Sequence, residues 1–192
     1  MGTILYYIRE TLVSMVPAIP SAILLRLAAL PLRRRKGLAT SFRHEAGTAA
    51  LILWISAVLV QTLGRPFIWP PMWLNNIPYE INLIPFYTIR EMFAQGATGY
   101  AAVNLLGNVL IFAPIGLLPA LLWRRMDSFR PCLGAGFGFS LFIEAAQLFS
   151  VRSPDMDDLL LNTLGTALGF ALWRVCLKGW LGEKFRLREK GI

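Results

Sequence analysis

The chain has 192 residues, of which 56% are hydrophobic and only 16% charged, with a mean hydropathy of +0.55 and a formal net charge of +8. A soluble domain carries about a quarter charged residues, so this composition excludes an ordinary soluble protein. Several apolar runs of about 18 residues instead predict an all-α integral membrane protein. Cys132 and Cys176 lack the spacing of a disulfide framework or a zinc site, and both are predicted to be small buried hydrophobes.

Five apolar stretches predict a bundle of about five transmembrane helices. The first could be mistaken for a signal peptide, but no basic region precedes it and no small-residue cleavage site follows, so we expect it to be retained. Between the second and third stretches, the aromatic and proline-rich segment 65–79 cannot form a straight helix and is predicted to cover the membrane interface. The stretches run over about residues 12–32, 46–63, 101–123, 131–149 and 158–177.

The distribution of lysine and arginine predicts the orientation of the bundle. The loops after the first and third stretches and the C-terminal tail hold most of these residues, whereas the alternate loops hold few. Because cytoplasmic loops carry an excess of Lys and Arg, we expect the N-terminus outside and the C-terminus in the cytoplasm. The net positive charge is then mostly this asymmetry, and no nucleic-acid partner is expected.

On this topology the unusual polar residues share one layer, the outer third of the membrane. Glu144, for example, lies about 9 Å inside the outer end of its stretch at a rise of ~1.5 Å per residue. The inner half of the bundle has almost no such residues. The layer contains Asn82, Asn104, Asn108, Glu144, Gln147, Arg152, Asp155, Asp157, Asp158 and Asn162.

Helical spacing predicts that three helices turn these polar groups toward a common centre. A carboxylate facing lipid costs roughly 2.5–3.5 kcal/mol, so Glu144 should face protein, water or a ligand. The predicted pocket has Glu144 and Gln147 as its floor, with Arg152 and the three aspartates at the rim and the asparagines as walls. Alternatively, these groups only join helices through hydrogen bonds, with Asp158 as a helix cap and Arg152 neutralising Asp155 or Asp157. The two glycines of the third face should let another helix approach closely. The faces consist of Asn104 and Asn108, of Ser140, Glu144 and Gln147, and of Asp158, Asn162, Gly165 and Gly169.

Four motifs occur in order: INLIPF (81–86), NLLGNVLIFAPIG (104–116), IEAAQLF (143–149) and RSPDMDDLLLNTLG (152–165). Together they resemble the VanZ-like family of bacterial membrane proteins, over roughly residues 81–169. The resemblance implies a multi-pass protein of the bacterial plasma membrane and an association with teicoplanin-type glycopeptide resistance. Together with the apolar stretches and the charges, it predicts a VanZ-like three-helix core (81–177) between two parts that the motifs do not cover. These are a two-helix N-terminal region with the aromatic outer segment (1–80) and a basic cytoplasmic tail (178–192).

Three functions remain open. The first is binding of a lipid-linked cell-wall precursor, another envelope ligand or a lipoglycopeptide at the outer leaflet. The second is an enzyme acting on an envelope lipid or glycan, with Glu144 and Asp158 as its acid–base groups and a divalent cation, Mg²⁺ or Ca²⁺, on Asp155, Asp157 and Asp158. The only histidine, His44, is predicted on the cytoplasmic side, which excludes histidine-dependent chemistry at the outer site. The third is a structural or partner-organising role.

Overall fold

A computed structural model describes residues 41–68, 81–96, 98–148, 154–182 and 184–186, together with scattered positions near the N-terminus and the short pairs 38–39 and 188–189. Most of the first apolar stretch, residues 69–80 of the aromatic segment and Arg152 lie outside the described residues. The first span, its retention and the interfacial cover therefore stay predictions.

The described chain is helical, as predicted, apart from one short strand pair. Strands β1 (Leu38–Ala39) and β2 (Arg188–Glu189) pair in antiparallel register. A 3-10 turn at Arg124–Met126 joins the third and fourth helices, and a π turn at Trp173–Leu177 joins the fifth and sixth. The helices are α1 (Phe42–Ile68), α2 (Tyr87–Ala94), α3 (Thr98–Leu122), α4 (Phe129–Gln147), α5 (Met156–Leu172) and α6 (Lys178–Leu181).

Three helical stretches in the described residues are long and apolar enough to cross a membrane, against the five predicted. They are Phe42–Leu63, Ala101–Leu122 and Met156–Leu181, with 22, 22 and 26 residues. At ~1.5 Å per residue, 22 residues span about 33 Å, which matches the thickness of a hydrocarbon core. Helix α4, which contains Arg130 and Glu144, forms where the fourth span was predicted but is not among these three stretches. Its crossing of the membrane stays a prediction.

Helices α3 and α5 pack with their backbones almost in contact, as the glycine stripe predicted. A Cβ on Gly165 or Gly169 of α5 would collide with the carbonyl oxygens of Val109 or Ala113 on α3. Gly116 of α3 meets the backbone of α5 in the same way. Small residues allow this approach, and without them the two helices could not share an interface this close.

Two apolar clusters fill the bundle on either side of this contact. The first joins α1, α3 and α4, and the second joins α3, α4 and the end of α5. Cys132 is buried in the second cluster, as predicted. The prediction is wrong for Cys176, which lies in the π turn and is exposed. The buried members are Val58, Leu63, Phe112, Ile115 and Ile143 in the first cluster and Ala120, Leu121, Cys132, Phe170 and Trp173 in the second.

The basic end of the bundle is organised around one carboxylate, Asp127, in the connection between α3 and α4. It accepts hydrogen bonds from Trp173 Nε1 at 2.9 Å and Arg186 at 2.7 Å, and Lys178 Nζ lies 2.6 Å away. Burial alone would raise the pKa of Asp127, but these three donors outweigh burial and lower the pKa to about 2. The carboxylate therefore ties the connecting turn to the end of α5 and to the C-terminal tail.

His44, at the start of α1, lies at this same end. Its Nδ1–H donates to the carbonyl oxygen of Phe185 at 2.7 Å, and its ring packs edge-on against Trp123. The side chain is fully buried. The histidine is thus a component of the packing between α1 and the tail.

Replacing Gly169 with alanine should destabilise the bundle by about 1–3 kcal/mol, because the new methyl group would force α3 and α5 apart. Gly107 on the exposed face of α3 is the matched control, since a Cβ there meets nothing within 4 Å. Thermal unfolding of the purified protein in detergent measures both variants. A Gly169→Ala protein as stable as Gly107→Ala would contradict the close packing.

Asp127→Asn should lower stability by about 2 kcal/mol at neutral pH, since it weakens charge-assisted hydrogen bonds to three partners. The folded-state pKa of Asp127 is below its ordinary value of 3.8, so its contribution is complete above pH 4 and is lost as the pH falls through about 2. The stability difference between wild type and variant should therefore shrink on acidification below pH 4. Unfolding curves at several pH values test this, and a constant difference would refute the assignment.

Candidate functional site

The polar residues singled out in the sequence gather at the end of the bundle opposite Asp127. Helix α3 begins there, α4 ends there and α5 begins there. Glu144 stands 15 residues after Phe129 on α4, or about 22 Å along the helix at ~1.5 Å per residue. We call this region the polar end, and its members are Asn82, Asn104, Asn108, Ser140, Glu144, Gln147, Asp155, Asp157, Asp158 and Asn162.

Asp155 joins three segments at the polar end. Its backbone N–H donates to Glu144 Oε2 at 2.9 Å, which links the start of α5 to α4. Its side-chain Oδ1 accepts from the N–H of Asp157 at 2.9 Å and thereby caps α5. The same oxygen accepts from Asn82 Nδ2 at 2.9 Å. Asp155 is therefore the N-cap, whereas Asp158, which the sequence left open as an alternative cap, lies inside the first turn of α5.

The INLIPF segment docks on the start of α5 through Asn82. The backbone N–H of Asn82 donates to the carbonyl oxygen of Pro154 at 3.2 Å, and the N–H of Met156 donates to the carbonyl oxygen of Asn82 at 3.0 Å. The amide side chain donates to Thr88 Oγ1 at 3.0 Å and accepts from the N–H of Ile84 at 3.0 Å. One asparagine thus holds both its own loop and the contact between that loop and α5.

Asp157 supplies the acceptors that the start of α2 needs. Its side chain is buried, with 2% exposure, and its two oxygens accept the backbone N–H groups of Phe86 and of Ile89, the latter at 3.1 Å. The first N–H groups of a helix have no partner within the helix. A carboxylate at this position is also stabilised by the positive end of the helix dipole. Phe86 has a left-handed backbone, with φ of 63°, which turns the chain into α2. Asp157 therefore fastens α2 to α5.

Asn104, Asn108 and Asp158 form a second chain of hydrogen bonds across the polar end. Asn108 Nδ2 donates to Asn104 Oδ1 on the same helix at 3.1 Å and also to Asp158 Oδ1 on α5. Asn104 in turn lies 4.0 Å from the sulfur of Met92 on α2. The asparagine stripe of α3 and the aspartate of α5 face one another, as their helical spacing predicted.

A buried polar group lies beneath this surface, between α4 and α5. Ser140 is fully buried, and Asn162 Nδ2 donates to its hydroxyl oxygen at 3.0 Å. Glu144 and Gln147 continue the stripe of α4 toward the polar end and are 7% and 3% exposed. Within the part of the chain that the structure describes, Asn162 Oδ1 has no hydrogen-bond partner. Buried amide oxygens normally have partners, so Asn162 Oδ1 has spare capacity for another polar molecule.

The structure thus brings together every predicted site residue except Arg152, which lies outside the described residues. Among the described residues no group of three or more acidic, histidine or cysteine side chains is placed to hold a metal ion. The carboxylates of Asp155, Asp157 and Asp158 instead bind Asn82, the start of α2 and Asn108. The divalent cation stays a prediction, and His44 lies at the far end of the bundle.

The sequence did not predict that the three aspartates have different roles. It placed all three at the rim of a pocket, whereas the structure uses Asp155 and Asp157 to fix backbone amides. The N-cap role of Asp155 could have been predicted, because an aspartate directly before the first residue of an apolar helix is typical of an N-cap. No local pattern indicates that Asp157 would cap α2, which is about 70 residues away along the chain.

The helices and the polar end define a helical membrane protein, and comparison with known proteins identifies its family. A model of the VanZ/LLP1 family matches residues 48–177, and the chain belongs to this family. The match begins well before the INLIPF motif, so it includes most of α1 as well as the core that the motifs indicated. The chain is also 28% identical over 81 residues to the uncharacterized membrane protein YwnJ of Bacillus subtilis (strain 168). That alignment covers 42% of this chain and 56% of YwnJ, so it spans little more than half of that relative's length. No solved structure matches the chain.

Asp157→Ala should release the start of α2 while leaving the bundle folded. Two backbone N–H groups lose their acceptors, which costs about 1–3 kcal/mol locally, so the amides of Phe86 and Ile89 should exchange with solvent faster. Hydrogen exchange of the protein in detergent measures this. Asp158→Ala is the matched control, because the structure gives Asp158 a partner on α3 rather than on the start of α2. Equal exchange in both variants would contradict the fastening role of Asp157.

Proposed function

We propose that the polar end binds the polar head of a lipid-linked envelope ligand in the outer leaflet, and that this binding underlies tolerance of teicoplanin-type lipoglycopeptides. The observation that carries the proposal is the buried group of Glu144, Gln147 and Asn162. Within this group, the side-chain oxygen of Asn162 has no hydrogen-bond partner among the described residues. A group that served only to join helices would use that capacity within the protein, as Asn82 and Asn108 do.

The distribution of charge supports an outward-facing polar end. The opposite end carries Arg124, Arg125, Arg130, Arg174 and Lys178 around Asp127, and cytoplasmic segments are enriched in such residues. With that end in the cytoplasm, the polar end lies in the outer leaflet of the bacterial plasma membrane. The chain then crosses the membrane several times, with its C-terminus inside.

Family membership supports the link to the antibiotic. The chain belongs to the VanZ/LLP1 family, and the resemblance in its motifs implies an association with teicoplanin resistance. Teicoplanin carries an acyl chain and acts on a target displayed at the outer leaflet. A site in that leaflet is in the right place to change how the antibiotic and its target meet.

A carboxylate-dependent enzyme is the second candidate, and one observation favours it. Glu144 is a buried carboxylate at the polar end, and a buried carboxylate is a common choice of general acid or base. Asp158, on the adjoining helix, would be its companion group. Under this alternative Glu144 exchanges a proton with the ligand, whereas under the binding proposal it only accepts hydrogen bonds.

Antibiotic susceptibility in a sensitive Gram-positive host tests the proposal. The wild type should raise tolerance of teicoplanin but not of vancomycin at matched membrane levels. Asp158→Asn and Asn162→Ala should each reduce that tolerance, since they change hydrogen bonds at the polar end. Glu91→Gln is the matched control, because Glu91 is exposed on α2 and its side chain accepts a hydrogen bond from the nearby Gln95 at 3.5 Å.

Glu144→Gln separates binding from catalysis in the same assay. Glutamine still accepts the hydrogen bond from the Asp155 N–H, but it cannot exchange a proton. Complete loss of tolerance with ligand binding retained would favour the enzyme. Wild-type tolerance in every variant, or none in the wild type, would contradict the proposed function.

A further inference from the structure

The end of the bundle around Asp127 carries more positive charge than its carboxylates neutralise. In α1, in the connection between α3 and α4, and between α5 and β2, the described carboxylates are Glu45 and Asp127. Asp127 alone lies 3.7, 2.6 and 2.7 Å from Arg174, Lys178 and Arg186, so three cations share one negative charge. We call this region the basic end. Its described cations are Arg43, Arg124, Arg125, Arg130, Arg174, Lys178, Lys184 and Arg186.

Several of these cations lie where the helices themselves favour positive charge. Arg125 lies just after the last residue of α3, and Arg174 and Lys178 lie just after the last residue of α5. The negative end of a helix dipole is at the C-terminus, so cations are stabilised at these positions. An excess of Lys and Arg is also what a cytoplasmic end requires. These three residues by themselves therefore indicate no ligand.

Arg130 is the exception, because it lies in the first turn of α4. This helix of 19 residues begins at Phe129, its N-cap Ser128 makes no side-chain hydrogen bond, and its first turn has no acidic residue. The positive end of the helix dipole thus meets a positive side chain, which is unfavourable unless an anion lies nearby. Asp127, three residues earlier, already binds Trp173 and three cations. Because Arg130 is exposed, an anion from outside the chain can reach it.

The start of α4 lies against the end of α5, which brings a second exposed arginine close to Arg130. The rings of Phe129 and Phe170 are in edge contact, with centroids 5.7 Å apart. Arg174 follows Phe170 by four residues, about one helical turn, and its guanidinium lies 3.7 Å from Asp127. Two other cations lie closer to that carboxylate, and the Arg174 side chain stays 55% exposed. Arg130, next to Phe129, and Arg174 therefore lie in one region of the surface.

Apolar surface adjoins these arginines at the depth of the lipid headgroups. Arg174 lies 18 residues after Met156, the first residue of its span, or about 27 Å at ~1.5 Å per residue, near the edge of a hydrocarbon core of ~30 Å. Phe129, Leu172 and Val175 are 50%, 47% and 82% exposed. A guanidinium at this depth extends toward the interface, where phosphate groups lie. The surface thus offers cations and apolar side chains side by side, which suits the two parts of a phospholipid.

We infer that the basic end binds the phosphate of an anionic phospholipid through Arg130 and Arg174. A guanidinium binds phosphate through two parallel N–H···O hydrogen bonds, and the start of α4 adds the positive end of a helix dipole. The head must carry a net negative charge, because a zwitterionic head brings its own cation to a surface that is already positive. This site lies at the end opposite the polar end and does not depend on the proposed function.

Lipid-dependent thermal stabilisation of the full chain in detergent tests the inference. The probes are phosphatidylglycerol and phosphatidylcholine with identical acyl chains, and inorganic phosphate. Phosphatidylglycerol should stabilise the wild type at about tenfold lower concentration than phosphatidylcholine does, the factor for one charge-assisted hydrogen bond. The preference should fall as the salt concentration rises, because exposed charges are screened. Inorganic phosphate should not reproduce the effect, since it has no acyl chains for the apolar surface.

Substitution of the two arginines locates the site. Arg130→Gln and Arg174→Gln should each reduce the preference for phosphatidylglycerol. Arg174→Gln also removes a contact with Asp127, so the quantity compared is the ratio of the effective concentrations of the two lipids within each variant. Arg90→Gln is the matched control, because it removes the same charge from an exposed position on α2 at the polar end. This control should keep the wild-type preference.

Three results would overturn the inference. The first is equal action of the two lipids on the wild type, which would mean that the charge of the head is not recognised. The second is a preference that is unchanged in both Arg130→Gln and Arg174→Gln, or that Arg90→Gln lowers as much as they do. The third is stabilisation by inorganic phosphate equal to that by phosphatidylglycerol, which would assign the surface to a free anion.

Discussion

The contact between the start of α5 and the loop that precedes α2 determines the rest of the polar end. Two helices begin at this point, and each has backbone N–H groups that no residue of its own helix can accept. Asp155 accepts for α5, and Asp157, two residues later, accepts for α2. In a bilayer an unpartnered backbone group costs several kcal/mol, so these two carboxylates make it possible for a non-helical segment to lie against the bundle.

This arrangement separates residues that maintain the fold from residues that are available to a ligand. The first group consists of Asp155, Asp157 and Asn82, whose side chains form hydrogen bonds with backbone groups and, for Asn82 and Asp155, with each other. Asn162 lies beneath them, and its side-chain oxygen has no hydrogen-bond partner among the described residues. At the opposite end, Asp127 maintains the fold by binding Trp173, Lys178 and Arg186. The two ends of the bundle therefore use carboxylates for different purposes.

Helical periodicity was sufficient to predict α3, α4, α5 and the stripes on which Asn108, Glu144 and Asn162 lie, because a helix places residues three and four apart on one face. It was also sufficient for the glycine contact of α5. It could not predict that Asp157 caps α2, since that contact joins segments about 70 residues apart and depends on the left-handed turn at Phe86. Hydropathy alone also predicted that Cys176 is buried, whereas Cys176 is exposed and lies in the π turn that follows α5.

The proposed function requires the polar end to face outward, and labelling of single cysteines in intact cells tests this orientation most directly. In a background with Cys132 and Cys176 replaced by alanine, one variant carries Glu91→Cys on α2 and another carries Ser128→Cys beside Asp127, both exposed positions. A membrane-impermeant maleimide should label Glu91→Cys in whole cells and label Ser128→Cys only after the cells are opened, as the excess of Lys and Arg at the Asp127 end requires. The reverse pattern would place the polar end in the cytoplasm and contradict the account.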